Sequence, residues 1–344
     1  MAESCLILYY HRVGRPSPDP QLLAVSPENF ESHLRTIVQM ANPVSLETLA
    51  NGPGGRTSDR TPDRPNVAVT FDDGYLDNLE LALPLLEKHA VPAVFYACTG
   101  YMDQGRELWW DELERLLLGP GLLPETLCLD LPGGLSDGLS DGPVRFDLGD
   151  AAELSPGAAL AHSGWDVTQA HAPSPRHEAY RLLHKRLRPL GFEHRERVLG
   201  TLAAMASQDR RPRQDRRVLD EQALRTLDRS PFGRVGCHTV SHPMLTRLSA
   251  GEAQEEIAWS KSRLEGILDR EVTDFSYPYG SAQDFDRGTR DILATLGFRT
   301  ACTTVRGVAR PGQDLLALPR IGVRNLGGVE FRRFLEAELT ESER

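Results

Sequence analysis

Two short segments carry residue types suited to hydrolysis. Thr70-Phe71-Asp72-Asp73-Gly74-Tyr75 sets two carboxylates side by side before a glycine. Adjacent carboxylates resist sharing one site unless a cation lies beside them. A bound metal resolves the conflict, with one Asp as ligand and the other free as a base. An Asp-Gly turn that opens the next helix is the plain alternative, and the hexapeptide alone does not separate the two. Cys237-His238-Thr239-Val240-Ser241-His242-Pro243 places histidines at i and i+4. They face the same way if the segment turns helically, a spacing used for metal ligation. Taken alone, this is a weak signal that packed or solvated histidines also produce. Together, two imidazoles and a carboxylate leave positions for water and substrate. Zinc suits that set best, and cobalt, nickel or iron also fit it. A third segment, Phe275-Ser276-Tyr277-Pro278-Tyr279-Gly280, ends in a turn whose backbone N–H can serve an oxyanion.

These residues need a scaffold that brings them together. The runs 6–10, 67–71, 93–97, 235–237, 274–277, 299–303 and 318–323 read as strands, and 28–40, 78–89, 253–268 and 284–296 as helices. Ser249 and Glu252 have the spacing of a capping box. Strand–helix alternation predicts an α/β protein with a mostly parallel sheet, and seven strands favour barrel-like closure. The two main motifs each follow a strand, where barrels and open α/β sheets hold their sites. The middle breaks the rhythm. Residues 119–164 are irregular and contain a tandem Leu-Ser-Asp-Gly, and 176–228 become helical and basic. We therefore expect a core of 1–104 and 231–344, with 105–230 as an irregular, then helical, insertion. The loop 51–65 is polar and rich in Gly and Pro. Trp109-Trp110 fits an amphipathic helix stripe better than a sugar platform, whereas Tyr75 and Tyr101 are expected to line the cleft. Histidines 33, 89, 162, 171, 177, 184 and 194 read as structural or solvated, and 185–188 as a solvated basic face.

At 344 residues and 40% hydrophobic, the chain is long enough for one large domain or a domain with an insertion. A net charge of -10 argues against nucleic acid or an anionic membrane as the main partner. No run approaches the roughly 20 apolar residues of a membrane span. The start is too short and polar for a signal peptide. Five widely spaced cysteines lack metal-site pairing and read as reduced thiols. A cytoplasmic location is the resulting expectation.

The three motifs together resemble the polysaccharide deacetylase superfamily, the domain shared with rhizobial chitooligosaccharide deacetylase and with peptidoglycan and chitin deacetylases. The resemblance covers the first 100 residues and 230–325. It implies a distorted, partly open seven-stranded β/α barrel and a divalent metal on Asp73, His238 and His242. It also implies Asp72 as general base and the backbone N–H of Tyr279 as oxyanion donor. Two departures stand out. The family's third motif usually reads Arg-x-Pro-Tyr, and here that Arg position is Ser276. The family's C-terminal Leu-x-His, which carries the general acid, is missing from 318–323. Instead Leu8-Tyr9-Tyr10-His11 ends the first strand, which resembles the circularly permuted branch found in biofilm poly-N-acetylglucosamine systems. His11 is then the expected general acid, against a strand-end histidine that only packs. Arg320 stands where it can replace the missing Arg beside Asp72. The implied function is removal of N-acetyl groups from an amino-sugar glycan or its precursor. The alternatives are a small-molecule amidohydrolase or deformylase, a non-catalytic carbohydrate-binding protein, and an unrelated phosphohydrolase.

Overall fold

The computed structural model describes residues 4–50, 64–102, 104–131 and 142–342. Most of the 51–65 loop and of the tandem Leu-Ser-Asp-Gly lies outside the described residues. The chain forms two compact units. One comprises Met1–Arg15, Leu23–Asp103 and Val218–Arg344, the other Pro16–Leu22 and Gln104–Arg217. Of the segment expected as an insertion, 218–230 lies with the first unit.

Seven strands make up the main sheet of the first unit: β1 (Cys5–Tyr10), β2 (Asn66–Phe71), β3 (Ala93–Ala97), β4 (Gly233–Cys237), β5 (Asp274–Ser276), β6 (Thr300–Cys302) and β7 (Ile321–Gly322). They form one sheet in the order β6-β5-β4-β3-β2-β1-β7, and every neighbouring pair is parallel. A two-residue strand, Asn42–Pro43, adds to β2. Leu318 makes an isolated parallel bridge to Cys302, between β6 and the start of β7. The two edges of the curled sheet thus approach at an isolated bridge without a continuous ladder, as in a distorted, partly open barrel. All six residues of β2 are buried, as expected for a parallel strand covered on both faces.

The longer helices are α1 (Pro27–Met40) and α2 (Leu83–His89) in the first unit, then α3 (Trp109–Leu118), α4 (Pro175–Leu187) and α5 (Phe192–Met205) in the second. The first unit resumes with α6 (Glu221–Arg229), α7 (Ala250–Leu268), α8 (Arg287–Thr295) and α9 (Gly328–Ser342). The expected helix 78–89 opens with a π-turn over Asn78–Ala82. α7 starts three residues before its expected bound because Ser249 and Glu252 do form a capping box.

Side-chain alternation along the strands decides where the chemistry sits. Leu6, Leu8, Tyr10, Val67, Val69, Phe71, Phe95 and Val235 join Phe30, Leu34 and Ile257 of the helices in one apolar cluster. Cys5, Ile7, Ala68, Val94, Tyr96 and Cys302 form a second cluster. They share the inner face of the curl. Thr70 and Asp72 continue the parity of Ala68, and Ser276 pairs in register with Cys302. The polar residues of the strand ends therefore project to the inside. Among the described residues, no helix is long and apolar enough to cross a membrane. No disulfide joins the five cysteines.

Candidate active site

The register brings the motifs to one edge. Tyr10 pairs with Phe71, Phe71 with Phe95, Ala97 with Cys237, and Cys237 with Phe275. The residues that follow these positions lie at the C-terminal ends of adjacent strands. Asp73 and Gly74 both take positive φ, 74° and 76°. A Cβ on Gly74 would lie 3.0 Å from the Ala97 Cα, so both conformation and space call for glycine there.

Asp73 Oδ1 lies 3.5 Å from His238 Nε2 and 3.5 Å from His242 Nε2. The three candidate ligand atoms fall within 4.8 Å of one another, and all three residues are buried. His238 Nδ1 is 2.7 Å from the Ser276 carbonyl, which can only accept, so this nitrogen carries the proton. In the neutral ring, Nε2 then turns a lone pair toward the Asp73 carboxylate. Two acceptors facing each other are repulsive unless a cation lies between them. The donor set suits a divalent metal, and the Ser276 bond fixes the ring orientation that ligation through Nε2 would need.

The histidine segment is not helical, contrary to the spacing argument. Residues 238–242 form an irregular loop in which Thr239 and His242 adopt φ of 66° and 54°. The loop doubles back, and the His242 N–H donates to Thr239 Oγ1 at 3.2 Å. The imidazoles meet edge to face, with centroids 4.9 Å apart. Thr99 N–H and Gly100 N–H donate to the carbonyls of Thr239 and Val240, which ties the loop to the end of β3.

Asp72 is gripped from the opposite end of the chain. Arg320 Nη1 and Nη2 donate to its two oxygens at 2.9 and 2.7 Å. The remaining donors go to Thr70 Oγ1, Ser276 Oγ and the Thr303 carbonyl. All five guanidinium N–H groups are used. Ser276, at the family's Arg position, thus accepts a bond from an arginine that arrives on another segment. The Arg320 guanidinium also lies over the rings of Tyr9 and Tyr96, at 4.8 and 5.8 Å. Burial pushes the Asp72 carboxyl up, but Arg320 and then His238 hold it down to about 2. Burial would lower the pKa of Arg320, and the charge of Asp72 raises it.

Tyr279 adopts φ of 61° and sets its ring against His242, with centroids 4.5 Å apart. His11 follows the strand beside Asp72, and Asp72 N–H donates to the Tyr10 carbonyl. The charge of His11 is among those that act on Asp72. Asn78 Nδ2 donates to the His11 carbonyl at 2.8 Å. Tyr75 and Tyr101 do not line a cleft: they are 0% and 2% exposed, and Arg12 covers the Tyr75 ring. Trp109 and Trp110 are both buried. Sequence reasoning missed Thr70 and Cys98. Thr70 was legible through its two-residue offset from Asp72. Cys98, whose Sγ lies 3.3 Å from the His238 carbonyl, left no signal.

A curled β/α sheet with a carboxylate–imidazole cluster at its C-terminal edge defines the class, and comparison with known proteins supplies the family. The chain carries a polysaccharide deacetylase domain, whose family model matches residues 59–118 and 198–301. That match includes Asp72, Asp73, His238, His242 and Tyr279. A 94-residue stretch is 30% identical to YxkH of Bacillus subtilis (strain 168), itself named a polysaccharide deacetylase only provisionally. It covers 26% of this chain and 30% of that protein. The deacetylase PplD of Streptococcus pyogenes, solved with acetate, shares the fold with a TM-score of 0.52 at 18% identity, over 98% of this chain and 99% of that one. IcaB from Ammonifex degensii has a TM-score of 0.54 at 18% identity, over 96% and 97% of the two chains. A de-N-acetylase from Aggregatibacter actinomycetemcomitans has a TM-score of 0.54 at 13% identity, over 96% and 100%. The family points to hydrolysis of carbon–nitrogen bonds in acetylated carbohydrate.

Proposed function

We propose that this chain is a metal-dependent hydrolase that removes N-acetyl groups from an amino-sugar glycan or glycan precursor. One observation carries the reading: a buried Asp-His-His cluster adjoins a carboxylate held ionised by a buried arginine. A divalent metal, with zinc the best match, would be held by Asp73, His238 and His242, and would supply Lewis acidity to the acyl carbonyl and acidify water to a pKa of about 7. Asp72, ionised at neutral pH, takes the proton of the attacking water. The Tyr279 N–H steadies the oxyanion. His11 hands a proton to the departing amine. Its role draws support from topology, because β1 lies between β2 and β7. The family match begins after His11 and ends before Arg320, as a rearranged terminal segment requires. Acetate bound to the Streptococcus pyogenes deacetylase supports an acetyl substrate. Thiols that form no disulfide suit a reducing, cytoplasmic setting.

The test is acetate release from N-acetylglucosamine oligomers and nucleotide-linked N-acetyl sugars by the purified, zinc-loaded protein. Acetate is expected from the wild type and none from His238→Ala. Formate from N-formyl sugars alone would favour a deformylase. Phosphate release without acetate would reject the reading.

A further inference from the structure

The loop 238–242 carries two of the three candidate ligands on a backbone that side chains rarely favour. Thr239, a β-branched residue, and His242 both sit at positive φ. Such conformations persist only where the surroundings over-determine them. Here α7 supplies the surroundings. Its capping box starts the helix at Ala250, so Glu256 and Ser260 fall i, i+4 on one face. Glu256 Oε2 accepts the N–H groups of Val240 and Ser241 at 2.9 Å each, and Oε1 accepts the Ser241 hydroxyl at 2.6 Å. One turn on, the Ser260 hydroxyl donates to the Thr239 carbonyl at 2.9 Å. Both oxygens of Glu256 are thus spent on the turn between the two histidines.

We propose that Glu256 is a positioning residue. It holds the loop in the conformation that turns both imidazoles toward Asp73, and through that it sets metal affinity. This rests on the metal reading above. The family motif supplies the histidines, and the helix that follows supplies the carboxylate that shapes their loop. Glu256 acts only through the loop, by hydrogen bonding rather than by charge.

The experiment strips the full chain of metal with a chelator, then titrates zinc against a chromophoric competitor. The rise in melting temperature on adding zinc is measured alongside. Glu256→Ala should weaken zinc binding about 10- to 100-fold, the usual cost of losing a group that orients metal ligands. Glu256→Gln keeps an oxygen for both N–H groups, and its amide can donate to the Ser241 hydroxyl. It should bind within about threefold of wild type, the scale of one modest hydrogen-bond change. Glu255→Ala, on the exposed side of α7, should match wild type. Equal zinc affinity in wild type and Glu256→Ala overturns the proposal. So does a loss in Glu256→Gln as large as in Glu256→Ala, because charge would then be the cause. If Glu256→Ala fails to fold, Ser241→Ala removes one of the three bonds and should weaken zinc by a smaller factor. An unchanged affinity there also overturns the proposal. A wild type that binds no zinc sinks the metal reading itself, and this proposal with it, before any variant is compared.

Discussion

Arg320 in the first unit and Arg176 in the second are 0% and 1% exposed, and each donates five hydrogen bonds. Arg176 gives all of them to backbone carbonyls, those of Leu117, Gly119, Gly121, Ala151 and Ala152. With no carboxylate among its partners, burial lowers its pKa to about 10. Arg320 gives two of its bonds to Asp72, and its own pKa rises. The second unit also has ion pairs on buried carboxylates: half-buried Arg213 with Glu107 and Glu114, and buried Arg216 with Asp111 and Glu114. Buried, fully bonded or perturbed charges therefore do not mark a site by themselves. Arg320 differs because its carboxylate stands at a strand end, next to a candidate metal cluster. Arg176 pins loops, whereas Arg320 sets the charge of the carboxylate proposed as the base.

The comparison breaks or sharpens under four changes. The largest effect is expected from Asp72→Asn, which should keep zinc but lose about 10²- to 10⁴-fold in kcat. Zinc content and acetate release check this, and near-normal turnover would remove Asp72 from its role. Arg320→Lys keeps the charge but not the two-pronged grip. Turnover should fall about 10- to 100-fold while the protein still folds. Arg320→Ala should in addition cost about 3–5 kcal/mol of stability, since it leaves Asp72 buried without a partner. Denaturant melts separate the two. Arg176→Met should destabilise by about 2–4 kcal/mol, through orphaned carbonyls, yet leave kcat of the folded protein within about twofold of wild type. Lost turnover without lost stability would erase the contrast between the two arginines.

The smallest effect is a pH dependence. Burial lowers the pKa of His177 to about 4 and of His184 to about 3 in the second unit, and of His33 to about 4 in the first. The unfolded chain takes up these protons first, so stability should fall as pH drops from about 6.5 toward 3. The Asp72 carboxyl, depressed from 3.8 to about 2, contributes stability that is lost only between those values. Melting temperature against pH should show the histidine window first, and His184→Phe should flatten part of it. A curve that His184→Phe leaves unchanged would exclude that histidine as a source.

The parts legible in the sequence were those that depend on local pattern. The strand runs, the capping box of α7, and the residues Asp72, Asp73, His238 and His242 all follow from alternation and motif. What escaped depends on backbone twist and on contacts distant in sequence. The i, i+4 spacing of the histidines suggested a helical turn, but Thr239 and His242 reverse the chain at positive φ, which spacing does not reveal. Tyr75 looked free to meet substrate, but its ring packs under Arg12. The position of Arg320 near a strand end hinted at a partnership with Asp72. Nothing in the sequence linked it to Thr70, Ser276 and the rings of Tyr9 and Tyr96.

The most direct measurement is an anomalous-scattering map from crystals of the zinc-loaded protein. A single peak should lie about 2.0–2.2 Å from Asp73 Oδ1 and from Nε2 of His238 and His242. An active, zinc-loaded crystal with its peak elsewhere would contradict the account.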